Sequence, residues 1–295
     1  MSGVRRGLAG LVLAVPFVLG AAAAEAPEAG DVVLTLTDPE IVESSGLALV
    51  PGADLLATVN DSGDGARVFA VDPSTGRTVG VTWWRQAGDP RDVEALAPAG
   101  PGEVWVGDIG DNLRARDSIE VARVPVGRGT TRVDVPRTTL VWPDGPRDAE
   151  ALLVHPRSGR LHVVSKGVFG GEVAVAPERL VPGETAPLTV LGEVAGMVTD
   201  GAFWPDGRHL VLRSYEQAHV YRYPELEHVA TFDLPPQPQG EGLAVTDDGQ
   251  VWISTEGARS EVLRVQVPRG VLRALEGQQS PTWWQRLLEM LVPMR

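Results

Sequence analysis

A β-propeller of five four-stranded blades is the fold this sequence predicts, and three observations predict it. Five segments share one grammar: a polar or acidic entry, a Leu or Phe anchor, a Gly- or Pro-bearing turn, then a strand rich in Val, Leu, Ile and Trp. The anchors Leu47, Leu96, Leu152, Phe203 and Leu243 stand 49, 56, 51 and 40 residues apart, which is the ~40–50-residue length of a propeller blade. Cysteine is absent and 43% of the 295 residues are hydrophobic, so a large apolar core, not disulfides, must hold the chain.

Residues 1–24 come first and stand outside the ring. Arg5 and Arg6 make a positive start, Leu8 to Leu19 an apolar run broken by Pro16, and Ala21 to Ala24 a small-residue stretch. That order reads as a signal peptide cut near Ala24, so the mature protein is expected to be secreted and extracellular. The run is shorter than the ~20 residues that cross a bilayer, so no transmembrane span is expected in the mature chain. Losing two Arg and no acid takes the formal charge from −13 to −15. Such acidity repels phosphate backbones and anionic lipid, which excludes nucleic acid as the general partner and favours cations, or ligands carried by cations.

The ring is expected over residues 25–270. Blade one reads ESSGLA (43–48), LLATVND (55–61), RVFAVD (67–72) and VGVTWW (79–84). Blade two reads RDVEALA (91–97), VWVGD (104–108), IEVARVPV (119–126) and RTTLVWP (137–143). Blade three reads RDAEALL (147–153), LHVVSK (161–166), EVAVAP (172–177) and LTVLGEV (188–194). Blade four reads TDGAFW (199–204), HLVLRSY (209–215), HVYRYP (219–224) and HVATFDL (228–234). Blade five has only GEGLA (240–244), VWISTE (251–256) and VLRVQVP (262–268), and the opening VVLTLTD (32–38) can supply its fourth strand. Closure of that kind leaves no open sheet edge. A sixth blade would need a degenerate unit around 110–145 or 170–200. A two-sheet sandwich would explain the alternation but not the repeated acid-x-x-Leu grammar.

Residues 271–295 differ in kind. Ser280-Pro281 starts a short helix, by the preference of Ser for the cap and Pro for the first turn. Trp283, Trp284, Leu287, Leu288 and Leu291 form one apolar stripe, expected to pack on the ring, with peripheral membrane contact through Trp283 and Trp284 as the alternative. A monomer is expected.

Antiparallel pairing puts the entry of each inner strand and the exit of the second on one face, beside the central channel. The entries hold Glu43, Asp92, Glu94, Asp148, Glu150, Asp200 and Glu241; the exits hold Asn60, Asp61, Asp64, Asp108, Asp111, Asn112, Lys166, Arg213 and Tyr215. Two like charges ~6 Å apart at an effective dielectric of ~20 repel by about 3 kcal/mol, so this face needs cations, hydrogen bonds or raised pKa values. Oxygen clusters without Cys suit Ca²⁺ or another divalent cation of the same hardness. The five His offer no H-E-x-x-H spacing for zinc. Glu43, Asn60, Asp61, Asp64, Asp92, Asp108, Asp111, Asn112, Asp148, Asp200 and Glu241 are therefore the candidate metal ligands. Structural readings compete at each: Arg91 and Arg147 beside the carboxylates can pair with neighbouring blades, and Asn in a tight loop favours an Asx-turn. Asn occurs only at 60 and 112, and Lys166 is the sole Lys among 26 basic residues; all three fall on this face. Lys166 can bind an anionic oxygen or act as an acid/base group. No G-x-S-x-G elbow supports a serine nucleophile.

The motifs E-S-S-G-L-A, N-D-S-G-D-G, R-D-x-E-A-L, G-D-I-G-D-N, D-A-E-A-L and G-E-G-L-A together resemble the secreted phytase-like propeller family, the type described by an "esterase-like activity of phytase", over roughly Asp31 to Val267. The resemblance implies a Ca²⁺-dependent phosphomonoesterase with Asp92, Glu94, Asp148, Glu150 and Glu241 in the acidic motifs and Lys166, Arg213 and Tyr215 on phosphate. Catalytic roles then fall to Lys166, Arg213, Glu94 and Glu150, with Arg91, Arg147 and Tyr215 binding the ligand. The ligand is a small anionic substrate or a cell-envelope ligand. A non-catalytic binding propeller is the alternative, because propellers host many functions. A metal-dependent lactonase-like hydrolase using Glu43, Asn112 and Asp200 is the second alternative.

Overall fold

The computed structural model describes residues 30–61, 63–85 and 90–277. Strand β1 (Asp31–Thr35) opens it. Blade one is β2 (Ser44–Leu49), β3 (Leu56–Asn60), β4 (Arg67–Asp72) and β5 (Arg77–Arg85). Blade two is β6 (Val93–Pro98), β7 (Glu103–Asp108), β8 (Ile119–Pro125) and, after a strand β9 (Gly129–Asp134), β10 (Arg137–Val141). Blade three is β11 (Ala149–Val154), β12 (Leu161–Ser165), β13 (Gly171–Val175) and, after a short β14 (Thr185–Pro187), β15 (Thr189–Val194). Blade four is β16 (Asp200–Phe203), β17 (His209–Arg213), β18 (Gln217–Arg222) and β19 (Glu227–Asp233). Blade five is β20 (Gly240–Val245), β21 (Val251–Thr255) and β22 (Glu261–Val265), completed by β1.

This is a five-bladed propeller closed by its N-terminal strand: β1 runs antiparallel to β22, Asp31 opposite Arg264 and Thr35 opposite Glu261. The inner strands β2, β6, β11, β16 and β20 neighbour one another in that order, and β20 returns to β2. No sixth blade hides in the two long connections. Instead β9 leaves blade two to pair in parallel with β5 of blade one, and β14 leaves blade three to pair in parallel with β10 of blade two. Each loan extends a neighbour's outer edge and ties two blades through backbone hydrogen bonds, whose groups would otherwise face water unpaired.

Five apolar clusters fill the five seams between blades. Val59, Val68 and Val106 belong to the seam of blades one and two, Leu140, Leu152 and Val163 to the next, Leu153, Phe203 and Leu212 to the third. Val211, Leu243 and Ile253 fill the fourth, and Leu34, Leu47 and Phe69 the seam that closes the ring. Each blade buries alternate residues on both faces because its strands lie between two neighbours. Close approach at the hub explains a small residue in the first strand: a Cβ on Gly46 would lie 2.6 Å from the backbone nitrogen of Leu96.

After β22, helix α1 (Arg269–Leu275) buries Val271 and Leu275 against Phe232, Leu234 and Leu263. It spans the expected domain boundary at 270 and belongs, by packing, to the ring. The helix expected from Ser280, the Trp283/Trp284 stripe and residues 1–24 lie outside the described residues. Among those described, no helix is long and apolar enough to cross a membrane.

Candidate functional site

The inner strands start on one face, and in four of the five blades their pairing to the second strand slips by one residue near the start. The residues that fall at the slips are Ser45, Glu94, Glu150 and, with Gly242, Glu241. A β-bulge of this kind leaves one residue out of the ladder and re-aims its side chain, a device common beside functional sites. Here it brings three buried glutamates and a serine together at the channel mouth; each of the three is about 4% exposed. Blade four keeps a regular register from Asp200 to Phe203.

Burial, then the neighbouring carboxylates Glu150, Asp61 and Asp92, push the Glu94 carboxyl up to about 10, while the hydrogen bond from Ser45 works the other way. Ser45 Oγ donates to Glu94 Oε2 at 2.9 Å. Glu150 is pushed up to about 8, by burial first, with Lys166 opposing and Glu241 and Asp148 adding to the rise. Glu241 rises to about 7, by burial, with Lys166 opposing and Glu256 adding to the rise. Asp92, half-buried, is raised by burial and by Asp61 and Asp148. Oxygens of Asp61, Asp92 and Glu94 lie within 4.8 Å of one another. Glu241 Oε2 is buried without a hydrogen-bond partner among the described residues.

Lys166 stands in this ring as its cation. Its Nζ donates to Glu150 Oε1 at 3.0 Å and lies 5.5 Å from the centre of the Tyr215 ring. Burial acts to lower the ammonium's pKa, but Glu150 and Tyr215 outweigh it and hold it above its ordinary value. Arg91, exposed, lines with Asp61 and Asp92 a cavity of about 190 Å³. The structure thus brings Asp61, Asp92, Glu94, Glu150, Glu241, Lys166, Tyr215 and Arg91 to one mouth.

Other expected site residues have different work. Arg213 is 0% exposed, and its Nη1 donates to the carbonyls of Gly242 and Ser254 at 2.9 and 3.0 Å while Nη2 reaches Gln237 Oε1 at 3.2 Å. It pins blade four to blade five and cannot meet a ligand phosphate. Asp200 is equally buried; its carboxylate accepts the backbone N–H groups of Gly201 at 2.7 Å and Leu243 at 2.6 Å, which takes up the oxygens a metal would need.

Asn60 Oδ1 accepts from the N–H groups of Val42 and Glu43, both at 3.1 Å, and Asp108 does the same one blade on, for Arg91 and Asp92, both at 3.0 Å. Asp108 is also paired with the largely buried Arg116 side chain at 2.8 Å. Asn60 and Asp108 therefore clamp the entry of the inner strand and are not free donors. Asp111 knots its own loop by accepting from Ala115 and Arg116 N–H, and Asp148 Oδ1 accepts from Asp111 N–H at 2.9 Å. Asp64 pairs with Arg67, and Arg147 with Glu172 at 2.7 Å. Glu43 and Asn112 are exposed, so the trio of Glu43, Asn112 and Asp200 does not present a common oxygen site.

Sequence reasoning missed Ser45 and Arg116. Ser45 had a legible signal, since it stands two residues before its Leu anchor, where Glu94, Glu150 and Glu241 stand in their blades. Nothing in the sequence marks Arg116 as the partner of Asp108.

No protein-family model matches the chain, and no curated protein matches it. Among solved structures, the chain is similar to hydrazine synthase of Kuenenia stuttgartiensis at 14% identity, with 72% of this chain and 61% of that one covered and a TM-score of 0.41; it thus spans less than two thirds of that chain. A putative 6-phosphogluconolactonase from Bacteroides uniformis matches at 14% identity over 77% of this chain and 68% of the other, TM-score 0.42. A glucose dehydrogenase matches at 12% over 79% and 99%, TM-score 0.46.

Proposed function

We propose that this propeller is exported and that its carboxylate face holds a divalent cation, Ca²⁺ by donor chemistry, through which it captures a small anionic or cell-envelope ligand in the manner of the phytase-like propellers. One observation carries the reading: three carboxylates from the first two blades, Asp61, Asp92 and Glu94, converge within 4.8 Å. Their donors are hard oxygens only, which fits Ca²⁺, a cation that takes ~6–8 oxygens, and does not fit zinc. The buried Glu241 Oε2 without a partner is a second sign that positive charge belongs at this mouth, because an unpaired buried carboxylate oxygen is costly.

Asp61, Asp92 and Glu94 would hold the cation, which when bound would anchor and polarise an oxyanion. The chain's own residues prepare that mouth. Ser45 orients Glu94 by its hydrogen bond. Glu150 fixes Lys166 over Tyr215, and Arg91 stands in the cavity that Asp61 and Asp92 line. With Arg213 engaged by carbonyls and Arg147 paired with Glu172, two of the cations expected to meet a phosphoryl group are already occupied. That favours ligand capture over phosphomonoester hydrolysis as the main task.

The test is a thermal melt of the mature protein with Ca²⁺ and with chelator, beside turnover of para-nitrophenyl phosphate. A rise in Tm with Ca²⁺ that Glu94→Gln removes supports the cation site. An unchanged melt contradicts it. Turnover lost in Lys166→Ala would make the face an enzyme, and silence of the wild type would leave it a binder.

A further inference from the structure

The opposite flank of the ring carries a second site, separate from the carboxylates. Between blades two and three, beside the β11–β12 turn, a cleft of about 360 Å³ opens, a volume in the ~300–1,000 Å³ range of small-ligand pockets. Trp105 of β7 lines it while also packing on the seam of blades two and three. Its indole N–H has no hydrogen-bond partner among the described residues. Trp252, at the equivalent strand position, donates to Gln250 Oε1 at 3.4 Å.

The charges around the cleft are mostly satisfied internally. Arg123, over the Trp105 ring at 5.7 Å, is paired with Glu103. Arg160 donates Nε and Nη2 to the Ala176 carbonyl at 3.3 and 2.9 Å, which leaves Nη1 for a ligand. Glu178 is exposed and its carboxylate has no partner among the described residues. Proline walls add shape without conformational freedom to lose on binding.

We infer that this cleft binds a neutral carbohydrate. A sugar has one flat C–H face, which an indole ring covers well, and hydroxyls that both donate and accept. Trp105 takes the face, Glu178 accepts from hydroxyls, and Arg160 Nη1 and the Trp105 N–H donate to them. One unpaired carboxylate and one part-engaged guanidinium in the same lining call for no net charge on the ligand. A purely apolar ring would fill the indole face but leave these polar groups unanswered.

The test titrates cellobiose and N,N′-diacetylchitobiose into the full mature chain with chelator present, followed by saturation-transfer NMR and indole fluorescence; sorbitol, a polyol without a flat face, is the control. At least one disaccharide binds and sorbitol does not. Trp105→Ala weakens binding about tenfold or more and Trp105→Phe less. Glu178→Ala, at an exposed position, weakens it about threefold, and Trp252→Phe leaves it unchanged. Absence of binding by both disaccharides at tens of millimolar, or wild-type affinity in Trp105→Ala or Glu178→Ala, overturns the inference. Chelator keeps the outcome independent of the cation reading, so each can fail alone.

Discussion

Lys166 Nζ sits 3.0 Å from Glu150 Oε1 in a pair whose side chains are 17% and 5% exposed. The only lysine in the chain is thus the counterion of a buried acid whose pKa burial has already raised to about 8. Removing it leaves a carboxyl buried without compensation. Lys166→Met is expected to cost about 3 kcal/mol, as breaking one side of a buried pair does, and Lys166→Met with Glu150→Gln to recover most of it. Urea denaturation of the single and double variants checks this.

The three buried glutamates set a pH dependence. Folded pKa values of about 7, 8 and 10 for Glu241, Glu150 and Glu94 lie above the ~4.3 of an unfolded glutamate. The folded state therefore binds more protons, and stability must fall as pH rises. In chelator, Tm is expected to decline from about pH 5 through pH 7 and beyond, Glu241 ceasing to contribute first. Saturating Ca²⁺ offsets part of the decline. Calorimetric melts across pH 5–9 measure it, and a Tm that climbs over that range in chelator contradicts it.

Arg213 is a brace and not a ligand contact. Its guanidinium fits only because blade five offers a glycine: a Cβ on Gly240 would lie 1.9 Å from Arg213 Nη2. Arg213→Met orphans the carbonyls of Gly242 and Ser254 and is expected to cost about 3 kcal/mol or more. Gly240→Ala should be comparably damaging. Denaturant unfolding checks both, with Ca²⁺ affinity of whatever protein remains folded staying near wild type.

Asn60 gives a milder case. Asn60→Ala removes the acceptor of two backbone N–H groups and the donor to the Glu40 carbonyl at 2.8 Å, so about 1–3 kcal/mol of stability is lost. Had Asn60 been a metal ligand, the loss would show in Ca²⁺ affinity instead. Urea melts beside Ca²⁺ titration separate the two.

What the sequence makes legible follows from what burial writes into it. The five anchors and the strand closing blade five are apolar and periodic, so the ring and its closure are readable at Leu47, Leu96, Leu152, Phe203, Leu243 and 32–38. Strands β9 and β14 are not, because their side chains are largely exposed and backbone pairing, with only Val133 and Ala186 packed on the neighbouring cores, carries no apolar alternation to read. The face of the channel is likewise readable, since entry and exit positions follow from antiparallel pairing. Which carboxylate is available is not. Asn60, Asp108 and Asp200 have the right oxygens, but backbone N–H groups have already claimed them, a matter of a few ångströms that residue type cannot express. Arg213 looks like an anion contact at a loop mouth until Gly240 makes room for it inside.

The central claim is a cation held by Asp61, Asp92 and Glu94, and calorimetric titration of chelator-stripped protein with Ca²⁺ tests it most directly. The account predicts saturable binding near one equivalent or more, weakened at least tenfold by Asp92→Asn, with Asp108→Asn destabilising the fold instead. Absence of binding at millimolar Ca²⁺, or equal affinity in Asp92→Asn and wild type, would contradict it.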